Sequence, residues 1–117
     1  MNRYAAAGIN GDALKGKRII VITRDGKASR EALEQIAQAA PLGVDITVRR
    51  ANGAERISYP TTGGEVFIRS YRQGARGVSA DILYLDDAVD ALVRSTDAWT
   101  SLYASVATSQ HAEVIRA

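Results

Sequence analysis

Residues 17–23 read KRIIVIT, a basic pair followed by an unbroken, largely β-branched run. Apolar residues that do not alternate with polar ones suit a strand covered on both faces, the situation inside a parallel sheet. Arg24, Asp25 and Gly26 break the run. Two later stretches have the same character: residues 81–87, DILYLDD, and residues 101–107, SLYASVA. Helical spacing falls between strands of this kind. From Ser29, read as an N-cap, Ala32, Leu33, Ile36, Ala37 and Ala40 recur on one helical face until Pro41 and Gly43 stop it, with Glu31 and Glu34 near its positive end. After Asp87 a short helix carries Ala88, Val89, Leu92 and Val93 on one side, and the tail from Thr108 reads as a short polar helix. The fold class expected is α/β, with a three-stranded parallel core of KRIIVIT, DILYLDD and SLYASVA.

Between the first helix and DILYLDD lie three short β-type runs, residues 44–49, 56–59 and 65–71. Asn52-Gly53 separates the first two and residues 61–64, TTGG, the second two, so this region reads as an inserted antiparallel hairpin meander. In the third run Val66, Ile68 and Ser70 alternate with Phe67, Arg69 and Tyr71, giving the strand two distinct faces.

The chain has 117 residues, 46% hydrophobic and 24% charged, which fits a single domain over residues 1–117 and argues against disorder. Residues 1–16 are an N-terminal segment ahead of the first strand. No apolar run approaches the roughly 18 residues that cross a bilayer, and the N-terminus lacks a signal-peptide core, so no membrane partner and a cytoplasmic location are expected. Without cysteine there are no disulfides, thiolate metal sites or cysteine nucleophiles, and one histidine, His111, argues against histidine-based metal sites and triads. Charge is unevenly spread. Residues 1–76 carry 13 Lys and Arg against 7 Asp and Glu, a net +6, while residues 77–117 carry 2 against 6, a net −4. Twelve of the fifteen basic residues are Arg, the side chain suited to bidentate phosphate contact; a nucleic-acid partner is one explanation and an ordinary solvated face the other.

Four groups of residues bear on chemistry. Residues 11–17, GDALKGK, spell GxxxxGK, but Arg18 stands where Ser or Thr would hold magnesium, and the segment enters a strand where a phosphate loop opens a helix. Asp86 and Asp87 sit at the C-terminal edge of a parallel strand, where ligands bind in open α/β sheets; there they suit a magnesium-associated and a water-positioning carboxylate, while spacing alone favours Asp87 as an N-cap and Asp86 as a helix-dipole carboxylate. Arg69, Arg72 and Arg76, with Tyr71 among them, suit a phosphate grip with a stacking ring, or a solvated hairpin in which Arg76 pairs with Asp81 or Asp86. Trp99 reads as a core or interface anchor and His111 as an exposed residue.

Taken together, KRIIVITRDGKASREALEQI, RRANGAERISY and GGEVFIRSYRQGARGVSADILYLDDA resemble, in order and spacing, the ATPase core of large terminase subunits, the DNA-packaging motors of tailed bacteriophages, particularly those infecting actinobacteria. The resemblance runs from Lys17 to Ala88, about two thirds of the chain. It implies part of a RecA-like P-loop NTPase sheet, with Asp86 as the magnesium-associated carboxylate and Asp87 replacing the family's Glu. SLYASVATS resembles the later coupling strand, which implies Ser105 and Thr108 as coupling residues. With 16 residues ahead of Lys17, it further implies that the Walker A strand, loop and helix are missing, as is the nuclease domain. The function implied is a small phage protein without hydrolytic activity that binds DNA or a protein, with no cofactor of its own. The alternative is one subunit of a split ATPase, completed with Mg-ATP by a phosphate loop on another chain; a plain α/β domain with no tie to nucleotides is the third reading. The family's strand order leaves the outer edge of residues 101–107 open, so a homodimer or hetero-complex is expected there, anchored by Trp99 and Tyr103.

Overall fold

The computed structural model describes residues 1–75, 77–86, 89, 92 and 113–116. Along them the chain forms α1 (Arg3–Leu14), β1 (Arg18–Thr23), α2 (Gly26–Gln38), β2 (Thr47–Arg49), β3 (Arg56–Tyr59), β4 (Gly64–Ser70), β5 (Ile82–Leu85) and β6 (Glu113–Arg116). One six-stranded mixed sheet has the order β2-β3-β4-β1-β5-β6. Strands β4, β1, β5 and β6 run parallel, whereas β2 and β3 join as antiparallel hairpin strands beside β4.

The KRIIVIT run holds the middle of the parallel set. Ile19 and Val21 pack beneath α1 and α2, in a cluster with Ile9, Leu33, Ile36, Ile57 and Val66. Ile20 and Ile22 point to the far face, in a second cluster with Phe67, Leu83, Leu85, Ala75, Ala80 and Val89. All four β1 residues are wholly buried, each worth about 1.5–3 kcal/mol by removal from water. The chain reaches β4, on one side of β1, by way of α2 on the helical face. It then reaches β5, on the other side, through residues 71–81, whose Ala75 and Ala80 lie on the far face. Right-handed crossovers distribute over two faces in this way.

Four expectations are corrected. α2 begins at Gly26 with Asp25 as its cap, the Asp25 Oδ1 accepting from the Ala28 amide at 2.8 Å, while Ser29 lies one turn inside with its hydroxyl 2.6 Å from that of Thr23. Residues 113–116, expected in a polar helix, form β6, because Val114 and Ile115 half-bury on opposite faces beside β5. β6 therefore takes the position beside β5 expected for SLYASVA; residues 101–107, and with them the open edge expected there, lie outside the described residues. Finally, a helix does precede β1. α1 is capped by Asn2, whose Oδ1 accepts from the Ala5 amide at 2.8 Å. Val89 and Leu92 are helical, in keeping with the helix expected after β5, and among the described residues no helix is long and apolar enough to cross a membrane.

Two devices fix α1 to the sheet. The Asn10 amide donates to the Ala6 carbonyl at 3.0 Å and to the Ile36 carbonyl of α2 at 2.9 Å, and its Oδ1 accepts from the Tyr59 hydroxyl of β3 at 2.6 Å. A buried amide with its partners satisfied specifies one docking geometry. Gly64, first residue of β4, lets the end of α1 lie against the strand: a Cβ there would stand 1.9 Å from the Ala13 carbonyl oxygen.

Tyr59→Phe orphans the Asn10 Oδ1 and is expected to lower unfolding free energy by about 1–3 kcal/mol in urea titration. Burial pushes the Tyr59 hydroxyl up to about 12, above its ordinary value of 10. The folded state therefore holds this proton more tightly, and the stability it confers is complete below pH 10 and is lost as pH rises toward 12. Alkaline unfolding followed by circular dichroism should show this loss in the wild type, and Tyr59→Phe should flatten it over the same window. Gly64→Ala should lower the unfolding free energy by about 3 kcal/mol or more in the same urea titration, because the obstacle is the backbone of the last turn of α1 and not a flexible side chain.

Candidate functional site

Parallel strands end at one edge of the sheet, and three chain ends meet there. Past β1 lie Arg24 and Asp25, past β4 lie Tyr71 and Arg72, and past β5 lies Asp86. Backbone bonds hold the ends level: the Tyr71 amide donates to the Thr23 carbonyl at 2.8 Å, and the Asp86 amide to the Ile22 carbonyl at 2.9 Å. α1 runs antiparallel to β1, so its start comes to the same edge. The Met1 amino nitrogen stands 3.6 Å from Asp86 Oδ1.

Asp86 is the central group. It is 8% exposed, and its Oδ1 accepts no hydrogen bond, so this atom caps no helix. It borders a pocket of about 130 Å³ shared with Met1, Arg24, Glu31 and Gln35. That pocket is below the ~300 Å³ of ordinary small-molecule sites and has room for a phosphate-sized group. Magnesium takes one or two carboxylates together with substrate phosphates. Asp86 and Glu31 are the acidic side chains at this pocket, and no group of three His, Cys, Asp or Glu able to hold a metal occurs among the described residues. The described residues therefore fit the edge of a magnesium–phosphate group and do not by themselves fit a magnesium nucleotide. Asp87, Ser105 and Thr108 lie outside the described residues.

The GxxxxGK segment is removed from this edge. Gly11 to Leu14 close α1 and Lys15 to Lys17 lead into β1, at the opposite end of the sheet from Asp86. Of the three arginines, Arg69 is half-buried, and its Nε has no hydrogen-bond partner. Arg72 is exposed, its guanidinium 5.7 Å from the Tyr71 ring centre and its Nε donating to the Tyr71 hydroxyl at 3.1 Å, which raises the Arg72 pKa. Arg76 lies outside the described residues, as do Trp99, Tyr103 and His111. Gln73 ties this loop to the Asn52–Gly53 turn by donating to the Gly53 carbonyl.

Sequence reasoning passed over Arg24, Glu31, Gln35 and the start of α1. The rule that ligands gather where parallel strands end could have found Arg24, which directly follows KRIIVIT; the start of α1 had no such signal.

A second polar cluster lies at the opposite edge. Glu65 of β4 accepts from Arg18 of β1 at 3.0 Å and from Arg56 of β3, and both guanidiniums stack on Phe67, 5.1 and 4.9 Å from its ring centre. Arg18 also donates to the Ser79 carbonyl at 3.0 Å. This is a brace across three strands, with the acid largely buried and both cations partnered.

No protein-family model, curated protein or solved structure matches the chain. Glu65→Gln is expected to lower stability by about 2 kcal/mol, as two charge-assisted bonds lose their acceptor charge.

Proposed function

We propose that this chain is a terminase-like ATPase domain that does not hydrolyse ATP by itself and acts in the cytoplasm by binding DNA. The observation that carries the reading is the order β4-β1-β5, three parallel strands with a buried aspartate following the third. That order supports a P-loop NTPase-type sheet of RecA-like descent, in which Asp86 occupies the magnesium-associated position. Phosphoryl transfer depends on positioning and charge stabilisation, and the lining of the Asp86 pocket includes no lysine and no glycine loop to hold phosphates among the described residues. Arg24, Arg30, Arg49, Arg50 and Arg72 are exposed, and guanidiniums of this kind bind phosphate backbones without reading sequence.

One observation favours the second reading, a split ATPase. The start of α1 faces Asp86, and in nucleotide sites of this type a helix N-terminus and a strand-end carboxylate share the phosphates and the metal. A partner that lays a phosphate loop along this edge would find both in place.

Purified chain should release no phosphate from ATP above background. It should bind duplex DNA in fluorescence anisotropy with affinity that falls steeply with salt, and Arg72→Ala with Arg76→Ala should weaken binding and flatten the salt slope by about 2. Turnover abolished by Asp86→Ala would overturn the non-hydrolytic reading. Absence of DNA binding at roughly 50 mM salt would leave a protein partner in its place.

A further inference from the structure

Beside α1, on the helical face, an apolar groove of about 310 Å³ runs over the β5–β6 side of the sheet. Its floor is Ile82, Tyr84 and Ile115, and one wall is the α1 face that carries Tyr4, Gly8 and Asp12. After β5 the chain turns to the other side of the sheet, where Val89 is buried in the far cluster. Tyr4 is 73% exposed, although it borders the groove.

We propose that α1 is a self-association surface, on which two copies of the chain pack antiparallel about Gly8 and close each other's grooves. The face is complementary to itself in one direction only. Tyr4, Gly8 and Asp12 are spaced four residues apart, so they stack along one side of the helix. An antiparallel pair centred on Gly8 sets Tyr4 of each copy opposite Asp12 of the other, about 6 Å to either side of the crossing. Arg3 belongs to the same end: its guanidinium lies 5.1 Å from the Tyr4 ring centre and donates to the Tyr4 hydroxyl at 3.2 Å. Each Asp12 carboxylate therefore meets the partner's Arg3 and Tyr4, twice over by symmetry. A parallel pair would set like against like. Two-fold symmetry makes such a contact closed and self-limiting.

Gly8 permits the approach. A Cβ built there meets nothing within 4 Å in the monomer, so the small residue is not required by the chain's own packing. A glycine inside a helix costs about 1 kcal/mol relative to alanine, which leaves close contact with a second helix as its use. The proposal rests on the α1 face and the β5–β6 groove and not on the DNA-binding reading.

Sedimentation equilibrium at roughly 100 µM protein, well above a micromolar dissociation constant, should show a dimer. Gly8→Leu should keep or raise the thermal midpoint while weakening the dimer at least about tenfold, and Asp12→Arg should weaken it similarly by facing Arg3 of the other copy. Combining Arg3→Glu with Asp12→Arg restores opposite charges and should return the dimer to within about threefold of wild type. Because the chain has no cysteine, Gly8→Cys gives a single thiol on the symmetry axis and should cross-link on mild oxidation, whereas Gln38→Cys on α2 should not. A monomer at that concentration would overturn the proposal. So would a dimer insensitive to Gly8→Leu and Asp12→Arg, or one that the double reversal fails to restore.

Discussion

Everything in this molecule depends on the double burial of β1. A strand wholly buried on both faces needs a hydrogen-bonded neighbour on each side and a layer above and below, and Ile19–Ile22 obtain these from β4, β5, the two helices and the far-face cluster. Because β4 and β5 flank β1 in parallel, their C-terminal ends line up with its own. The position of Asp86 is thus a consequence of packing: it is the first polar residue after four buried ones on β5, at the level where β1 ends and Arg24 begins.

The second constraint is the docking of α1. Asn10, Tyr59 and the Ile36 carbonyl tie three elements together through one buried side chain, and Gly64 sets how closely the helix end can lie on β4. With its end held at β4 and its axis diagonal to the sheet, α1 has its start beside β5. That geometry brings Met1 and Asp86 together, and it turns the outward face of Tyr4, Gly8 and Asp12 toward the β5–β6 groove. The candidate site and the proposed self-association surface are therefore two results of one helix placement.

Strong local patterns made much of this legible from the sequence. KRIIVIT, the hairpin runs and DILYL each declare their period, and strands β1 to β5 fall within those runs apart from Gly64, which begins β4 one residue earlier than read. Joining the last hairpin strand to the parallel set was not legible, because β4 pairs with β1 across 40 intervening residues and no local pattern records such a partner. α1 was missed because its buried face is Ala6, Ile9, Asn10 and Ala13, two alanines and a polar residue whose burial makes sense only once Tyr59 and Ile36 are beside it. Ser29 reads as the cap because the apolar pattern starts after it. Asp25, four residues earlier, reaches the free amide of Ala28, and Ser29 instead bonds Thr23 inside the turn. β6 is a four-residue strand whose two apolar residues face opposite sides, too short to show a period. At the candidate site Asp86 was legible as a strand-end carboxylate, whereas apart from Arg24 the groups that border its pocket come from α2 and from the start of α1, elements whose arrangement only the fold reveals.

Native-state hydrogen exchange, resolved by residue, tests the central claim most directly, since it reports whether α1 belongs to the same cooperative unit as β1. If Asn10, Tyr59 and Gly64 dock α1 as described, the amides of Ile9, Asn10 and Ala13 should exchange only through the global opening that exposes Ile20, Val21 and Leu83. Exchange of those α1 amides at far lower free energy, with β1 and β5 still protected, would contradict the account: the helix would then be a separate, weakly held segment, and neither its meeting with Asp86 nor its proposed surface would stand.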